Sequence, residues 1–297
     1  MRWLGKSFRS IPSILENESA MGLDTKINDS AIDVWHSEGS IEGKVTELGF
    51  GYLLNGMLNK VTTVNNADGT YTHTFERDQS AARKTLSVWD VRPVGTRLFT
   101  SQYLDNLNLS IEVGDAGAWL QTSAALKGWK HSDVPSFTPA PFDNSEKEFT
   151  SRMVSVRLAD DVAGLASASA LVKPTSIEFN MEEGTTAAHY LGETNNDPEF
   201  DSDPAEVKGS MVVRYRKTDF EDAYFVNKAH AMSITAQNGD EKIEIIGTKV
   251  RFRELTDSDG RDETVSQTIT YYFEPDLTNG GKDVVVKVTN REASFVA

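Results

Sequence analysis

Short segments of alternating apolar and polar residues, separated by turns, fill the chain from residue 70 onward. In "TYTHTFE", Tyr71, His73 and Phe75 fall on one side and threonines on the other, which is the period of a strand with two different faces. Between such segments lie clusters of Gly, Asn and Asp that favour tight turns between neighbouring antiparallel strands. These clusters are "NADG", "GDAG", "NGD", "DSDG" and "NGG", at 66–69, 114–117, 238–240, 257–260 and 279–281. The succession predicts a mainly β, antiparallel fold.

One stretch, "LGFGYLLNGMLNKVTT" from residue 48, has the period of a helix instead of a strand. Its large apolar residues are spaced i, i+3, i+4 and i+7, which places them on one helix face. We therefore predict one α-helix that packs against the sheet, or against a neighbouring subunit, through this face. The apolar positions are Phe50, Leu53, Leu54 and Met57.

Three glycines interrupt this helix, although each costs about 0.8–1 kcal/mol relative to alanine. Gly49 and Gly56 are seven residues apart, near the same angular position beside Leu53. We interpret them as positions where a strand backbone approaches the helix closely. The alternative is a weak helix that a glycine ends early.

The remaining segments suggest how the chain is divided. Residues 1–40 are polar and lack a sustained period, so we predict an extended N-terminal arm with little structure of its own, followed by one domain over 41–297. Within that domain, 131–149 carries three prolines and 192–206 is strongly acidic, and both are predicted to be long loops. Residues 220–232 are consistent with a short helix. The apolar residues able to anchor the arm are Trp3, Leu4, Phe8, Ile11 and Ile14.

Composition excludes several classes of function. The chain has no cysteine, which rules out disulfides and thiolate chemistry. Its formal net charge is −15, so a broad basic face for nucleic acid is not expected. No apolar run approaches the roughly 20 residues that span a bilayer, and the basic N-terminus lacks the apolar core of a signal peptide. We predict neither a membrane anchor nor a secretion signal.

No pattern of catalytic residues emerges. The five histidines form no HExxH pair, and no GxSxG, phosphate-binding loop or dinucleotide fingerprint is present. Acidic residues alternate in 197–203, and calcium prefers clustered oxygens, but the glycine of an EF-hand loop is missing. We interpret these acids as solvated, with a calcium site as the alternative. The sequence predicts no enzyme, no cofactor and no metal. The alternating acids are Asp197, Glu199, Asp201 and Asp203.

The order of these segments resembles the major tail tube protein of long-tailed, non-contractile (siphovirus-type) bacteriophages. The glycine-dotted helix precedes the strand "YTHTFE", and the hairpin "YLDNLNLSIEVG" to "AWLQTSAALKG" follows. Next come "PTSIEFNMEEGTTAAHYLG" and "AEVKGSMVVRYRKTDFEDAYF", then "SITAQNGDEKIEIIGTKVRFRE", "DETVSQTITYYFEP" and "VVVKVTN". The resemblance covers roughly residues 10–290. Each segment is a common β pattern, and the ordered set carries the likeness.

The resemblance implies an antiparallel β-sandwich or partial barrel with one flanking helix. It implies a homo-oligomer, with six copies in a ring, stacked rings, and strands of neighbouring subunits joined edge to edge around a channel. Viral DNA would pass through without specific binding, which an acidic lining favours because it repels phosphates. Further partners would be the tape measure, tail terminator and tail tip proteins. The tube would belong to the virion and be assembled in the bacterial host cytoplasm, with no contact with a membrane.

Two sets of site residues follow from this resemblance. Glu178 and Asn180, in the strand "SIEFNMEE", are candidates for the channel lining. The helix supplies the candidates for packing or subunit contact, which are Gly49, Phe50, Leu53, Leu54, Gly56 and Met57.

Three alternatives remain open. The chain resembles in part the tube of contractile tails or of type VI secretion. It is also compatible with a receptor- or carbohydrate-binding β-sandwich of a tail tip, because it has five tryptophans and eight tyrosines. We predict, however, that Trp89 and Trp119 belong to the core, since both fall in strand patterns. An acid–base enzyme would need paired carboxylates, and no such pair is evident.

Overall fold

The computed structural model describes residues 2–19, 22, 26–114, 116–135, 137–138, 146–188, 190, 198–214, 219–258 and 265–295. The helices are α1 (Glu47–Met57) and α2 (Asp219–Phe225), and 3-10 turns span Ser151–Met153, Ala163–Ala166, Ala168–Ala170 and Leu277–Asn279. The strands are β1 (Arg2–Asn17), β2 (Asp29–Lys44), β3 (Lys60–Asn65), β4 (Tyr71–Glu76), β5 (Leu86–Arg92), β6 (Gly95–Glu112), β7 (Gln121–Gly128), β8 (Ser132–Val134), β9 (Val154–Ala159), β10 (Leu171–Val172), β11 (Pro174–Glu182), β12 (Thr185–Ala188), β13 (Glu199–Ser202), β14 (Glu206–Arg214), β15 (His230–Asn238), β16 (Glu241–Ser258), β17 (Ser266–Phe273) and β18 (Val285–Asn290).

The strands form two layers that share β16. The front sheet has the order β1–β2–β7–β6–β11–β14–β17–β16, and the back sheet has the order β10–β9–β15–β16–β18–β4–β3. Residues 242–246 of β16 pair with β18, whereas residues 250–258 pair with β17, so this long strand passes from one sheet into the other. The pairings within both sheets are antiparallel. The predicted antiparallel β-sandwich or partial barrel is confirmed.

One apolar core lies between the two sheets. It combines the inward side chains of the front sheet, such as Leu109, Phe179 and Met211, with those of the back sheet, such as Ile234 and Val286. Because strand side chains alternate between faces, every second residue of central strands such as β11, β14 and β17 enters this core. The outer face of the front sheet is thereby left to the residues in between.

Helix α1 begins at a threonine cap, where the backbone N–H of Gly49 donates to Thr46 Oγ1 at 3.1 Å. It is buried on nearly all sides, with Tyr52 as its exposed large side chain. The helix continues through Gly56 to Met57, so the alternative of an early glycine stop is wrong. The short helix expected within 220–232 is confirmed as α2, which spans Asp219–Phe225.

The glycines of α1 make room for side chains. A Cβ on Gly51 would lie 2.3 Å from the ring of Phe295, and a Cβ on Gly56 would lie 3.2 Å from the side chain of Leu86. The neighbour at Gly56 is therefore not the strand backbone that we predicted. The residues after β18 lie across the helix, where Asn55 Nδ2 donates to the Phe295 carbonyl at 3.1 Å. We call residues 291–295 the C-terminal strap.

The first residue of α1 carries a titratable group that should make stability pH-dependent. Glu47 is buried and accepts a hydrogen bond from the Lys147 backbone N–H at 3.0 Å. Burial, with Glu241 and Glu146 nearby, raises the pKa of this carboxyl from 4.5 to about 7. Since the folded state holds the proton more tightly, its contribution to stability is full below pH 4.5 and is lost as the pH rises through about 7.

We predict that Glu47→Gln, which keeps the acceptor for Lys147, raises stability at pH 8 by up to about 3 kcal/mol. At pH 4 the same substitution should change little. Urea unfolding at the two pH values measures both effects, with Glu42→Gln on the exposed side of β2 as the control. An equal effect at both pH values would contradict this origin of the pH dependence.

The N-terminal segment is extended, as we predicted. It was, however, predicted to have little structure of its own, and it forms two long strands. Strands β1 and β2 pair with each other over nearly their whole length, and β2 continues through residue 40 to pair with β7. The two segments predicted to be long loops each contain a short strand, β8 and β13. Residues 136, 139–145 and 192–197 of those segments, including Asp197, lie outside the described residues.

Candidate functional site

The outer face of the front sheet is an ordered polar surface. Partner residues on neighbouring antiparallel strands share a face, so the strand registers define its rows. One row runs Ser110, Glu178, Ser210 and Thr270 across β6, β11, β14 and β17. The next row runs Asn108, Asn180, Lys208 and Tyr272. The flat, hydroxyl- and amide-rich face is the opposite side of the strands that bury Leu109 and Phe179 in the core.

The outer face of β6, β11, β14 and β17 carries few charged side chains, and more of them are acidic than basic. Lys208 bridges the carboxylates of Glu182, at 3.4 Å, and Glu206, through a short contact. Glu178 accepts a hydrogen bond from Asn108 Nδ2 at 2.6 Å. The outward carboxylates are Glu112, Glu178, Glu182 and Glu206, and the outward cations are Lys208 and Arg214. The outer face of these four strands is thus weakly acidic, and beyond them Arg251 of β16 extends the Tyr272 row and is paired with Glu274 at 2.8 Å.

The two predicted sets of site residues lie on opposite sides of the front sheet. Glu178 and Asn180 both face outward, in adjacent rows of the polar surface. The helix residues are buried within the subunit, so a neighbouring subunit would reach α1 only through residues beside them, such as Tyr52. The buried helix set is Gly49, Phe50, Leu53, Leu54, Gly56 and Met57.

Comparison with models of known protein families identifies the family of this chain. The model of the phage tail tube protein family matches residues 15–289, which is most of the chain. The chain belongs to the phage tail tube family. A search for relatives among curated proteins found no match.

Membership of the tail tube family confirms the coarse part of the resemblance. This tail tube protein is a structural component of the virion tail that oligomerises and contacts other tail proteins. Within the described ranges, no helix is long and apolar enough to cross a membrane. Nor does any group of three or more His, Asp or Glu in that part of the chain have the geometry of a metal site.

The exposed tryptophans are a feature of the tail tube protein that the sequence analysis missed. Trp89 is 39% exposed and Trp119 is 43% exposed, so the prediction that both belong to the core is wrong. Strand β5 turns Asp90 inward instead, where Lys6 Nζ donates to its carboxylate at 2.6 Å. Burial by itself would raise the pKa of Asp90. The hydrogen bonds and charges of Lys6 and Arg92 outweigh burial and hold this pKa below its ordinary value. No local signal could have placed Trp89 outside, because the inward position of Asp90 depends on Lys6, 84 residues away.

The exposed aromatic side chains make specific contacts on the surface of the tail tube protein. Trp89 stacks on Phe137 with ring centroids 4.3 Å apart and planes within 12°. The ammonium of Lys44 lies 4.3 Å from the ring centroid of Trp119. Aromatic residues that stay exposed in one subunit are typical of contact surfaces between proteins.

Proposed function

We propose that this chain builds the tube of a non-contractile phage tail as stacked rings of six copies, with the outer face of the front sheet lining the DNA channel. The observation that supports this proposal is the front sheet itself, which is eight strands wide and whose strands β6, β11, β14 and β17 are buried on one face and largely polar on the other. Strand β1 pairs only with β2 among the described strands, so its other edge is open. An open edge is a liability in a monomer, and closure of a ring by neighbouring copies removes it.

The chemistry of the polar face suits passage of DNA without binding. Affinity for the phosphate backbone grows with each cation that contacts it. Of the two outward cations on the four central strands, Lys208 is already held by two carboxylates. A lining of hydroxyls, amides and carboxylates therefore leaves DNA hydrated and mobile. The tape measure, tail terminator and tail tip proteins are the partners expected at the tube ends and in its channel before DNA enters, with assembly in the host cytoplasm.

Electron microscopy of the purified protein tests this proposal. At raised concentration we expect hollow filaments whose cross-sections show six-fold rings. Three-fold rings would change the stoichiometry, and a protein that stays monomeric at every concentration would contradict the proposal.

Reversal of charge on the polar face should impair DNA delivery without affecting assembly. We predict that Glu112→Lys with Glu178→Lys lowers the infectivity of complemented phage at least about tenfold, because every ring adds new phosphate contacts. The control is Asp240→Lys, which reverses one charge instead of two, on an exposed turn of the back sheet. Plating efficiency and electron microscopy measure the two properties separately. If the variant phage has intact tails and full infectivity, the charge of the polar face does not affect the passage of DNA.

A receptor- or carbohydrate-binding role at the tail tip is the second candidate. The exposed stack of Trp89 and Phe137 favours it, because sugar rings pack on flat aromatic faces. Binding to a glycan array that Trp89→Ala abolishes, together with an absence of filaments, would favour this role over the tube.

A further inference from the structure

An open groove of about 560 Å³ enters the sandwich between its two sheets, at the strand ends beside helix α2. The front sheet contributes Val213 and Phe252 to its walls, the back sheet contributes Leu158 and Val172, and α2 contributes Phe220. Grooves of roughly 300–1,000 Å³ with mostly apolar walls and a few polar groups are typical binding sites for small molecules. The size and the walls of this groove therefore suit a small apolar ligand.

The floor of the groove consists of aromatic rings that carry no charge. The imidazole of His230 stacks on Phe252, with ring centroids 5.7 Å apart, and Phe220 meets Phe252 edge-on at 5.8 Å. His230 is buried, and burial, with the charge of Lys228 in second place, lowers the pKa of its ring below 6.5. The ring is therefore neutral at neutral pH. Flat, uncharged faces of this kind pack well against the apolar part of a ligand.

Two neighbouring cations lie at the mouth of the groove. Lys173 and Arg214 both line it, and both are exposed. The register pairs Pro174 of β11 with Val213 of β14, which brings the adjoining Lys173 and Arg214 close together. Neither of the two forms an ion pair with a residue in the described ranges. Because two like charges repel each other, an anion placed between them is attracted by both.

The acidic residue at the groove does not cancel these cations. Asp160 lines the groove, but its carboxylate is paired with Lys228 at 2.7 Å. The charges of Lys173 and Arg214 thus remain available to a ligand. Lys and Arg form their strongest hydrogen bonds with carboxylate and phosphate groups. The ligand that fits both the floor and the mouth is apolar at one end and anionic at the other.

We propose that this groove binds a small amphipathic anion, which is an aromatic or aliphatic molecule that ends in a carboxylate, sulfonate or phosphate. Its apolar body lies on the rings of Phe220, Phe252 and His230. Its anionic group lies at the mouth, between Lys173 and Arg214. The site belongs to a single subunit, so this inference does not rest on the proposed polymerisation.

Two fluorescent probes that share the same rings test the site. Anilinonaphthalene sulfonate has an apolar aromatic body and one sulfonate, and phenylnaphthylamine is the same molecule without the sulfonate. Fluorescence titration of the soluble chain, below the concentration at which filaments form, measures the affinity for each. Both probes should bind to the native chain, and each should displace the other.

Three variants locate the body and the charge of the bound probe. Lys173→Glu with Arg214→Glu should weaken binding of the sulfonate probe at least about tenfold and leave the uncharged probe near its native affinity. Ala223→Phe, which fills the groove from α2, should weaken both probes at least about tenfold. Arg9→Glu with Arg291→Glu is the control, because it reverses two exposed charges on other parts of the subunit and should change neither affinity.

Circular dichroism shows whether each variant is folded, and if Ala223→Phe does not fold, the charge variant with the two competing probes decides. If the native chain binds neither probe, or if the charge variant binds the sulfonate probe as well as the native chain does, the site is overturned. If a folded Ala223→Phe keeps both native affinities, the probes bind elsewhere, such as on the exposed apolar residues of β1 and β2, and the site is again overturned. If native filaments exclude probes that the soluble chain binds, a second copy occupies the groove in place of a small ligand. None of these results bears on whether the chain forms a tube.

Discussion

Replacement of Glu183 by alanine is expected to destabilise the subunit by about 3–5 kcal/mol, because it removes a buried carboxylate that two largely buried arginines share. The Glu183 carboxylate lies 2.9 Å from Arg83 and 3.4 Å from Arg77, and Arg77 also lies 3.3 Å from Asp283. Burial raises the pKa of Glu183, and the two guanidinium groups oppose that shift. Arg83 further donates to the Leu104 carbonyl at 2.7 Å. The network connects four parts of the chain, which are the link between β4 and β5, strand β6, the β11–β12 turn and the segment just before β18.

Glu182 provides a matched control for this prediction. It is the neighbouring residue in the chain, but it points to the polar face and meets Lys208 near the surface. Surface ion pairs contribute about 0–1 kcal/mol, so Glu182→Ala should have a small effect. Urea unfolding followed by tryptophan fluorescence compares the two variants. Equal losses of stability would show that the buried charges are not responsible.

The inward and outward faces of the strands could be predicted from the sequence, because each depends only on the local alternation of residues. Alternation along "SIEFNME" places Phe179 inward and Glu178 outward whatever the partner strands are. The helix was equally local, since its apolar spacing and the threonine before it lie within one short stretch.

What escaped prediction depends on distant partners. The β1–β2 hairpin lacks a clear period because register shifts interrupt it near Gly5 and Ile14 and because residues 29–33 of β2 are all exposed. Trp89 was misplaced because its neighbour Asp90 is neutralised by Lys6, 84 residues away. The role of Gly51 could not be read from a helical wheel, because the ring that occupies its Cβ position belongs to Phe295.

Substitutions at Gly51 and Phe295 are expected to change the stability of the subunit in a coupled way, because the two residues share one space. Phe295→Ala should cost about 3–5 kcal/mol if the strap is part of the cooperative fold, because its buried ring fills the space beside the helix. The ring packs edge-on against Tyr52, with centroids 5.2 Å apart, and against His73, at 4.6 Å. His73 is fully buried, and burial lowers its pKa, so the neutral ring donates from Nε2 to the Glu292 carbonyl at 2.9 Å.

Gly51→Leu alone should also destabilise, by about 1–3 kcal/mol, because its Cβ would overlap the phenyl ring and drive the strap away. The double substitution should be more stable than Phe295→Ala alone. The leucine fills the vacated space and removes a glycine from the helix, which by itself is worth about 0.8–1 kcal/mol. Denaturant unfolding of the four proteins gives the coupling energy between the two sites, and residues that share one space are strongly non-additive. Strictly additive effects would mean that the glycine and the ring do not compete for the same volume, and that the strap is held by its hydrogen bonds to His73 and Asn55 instead.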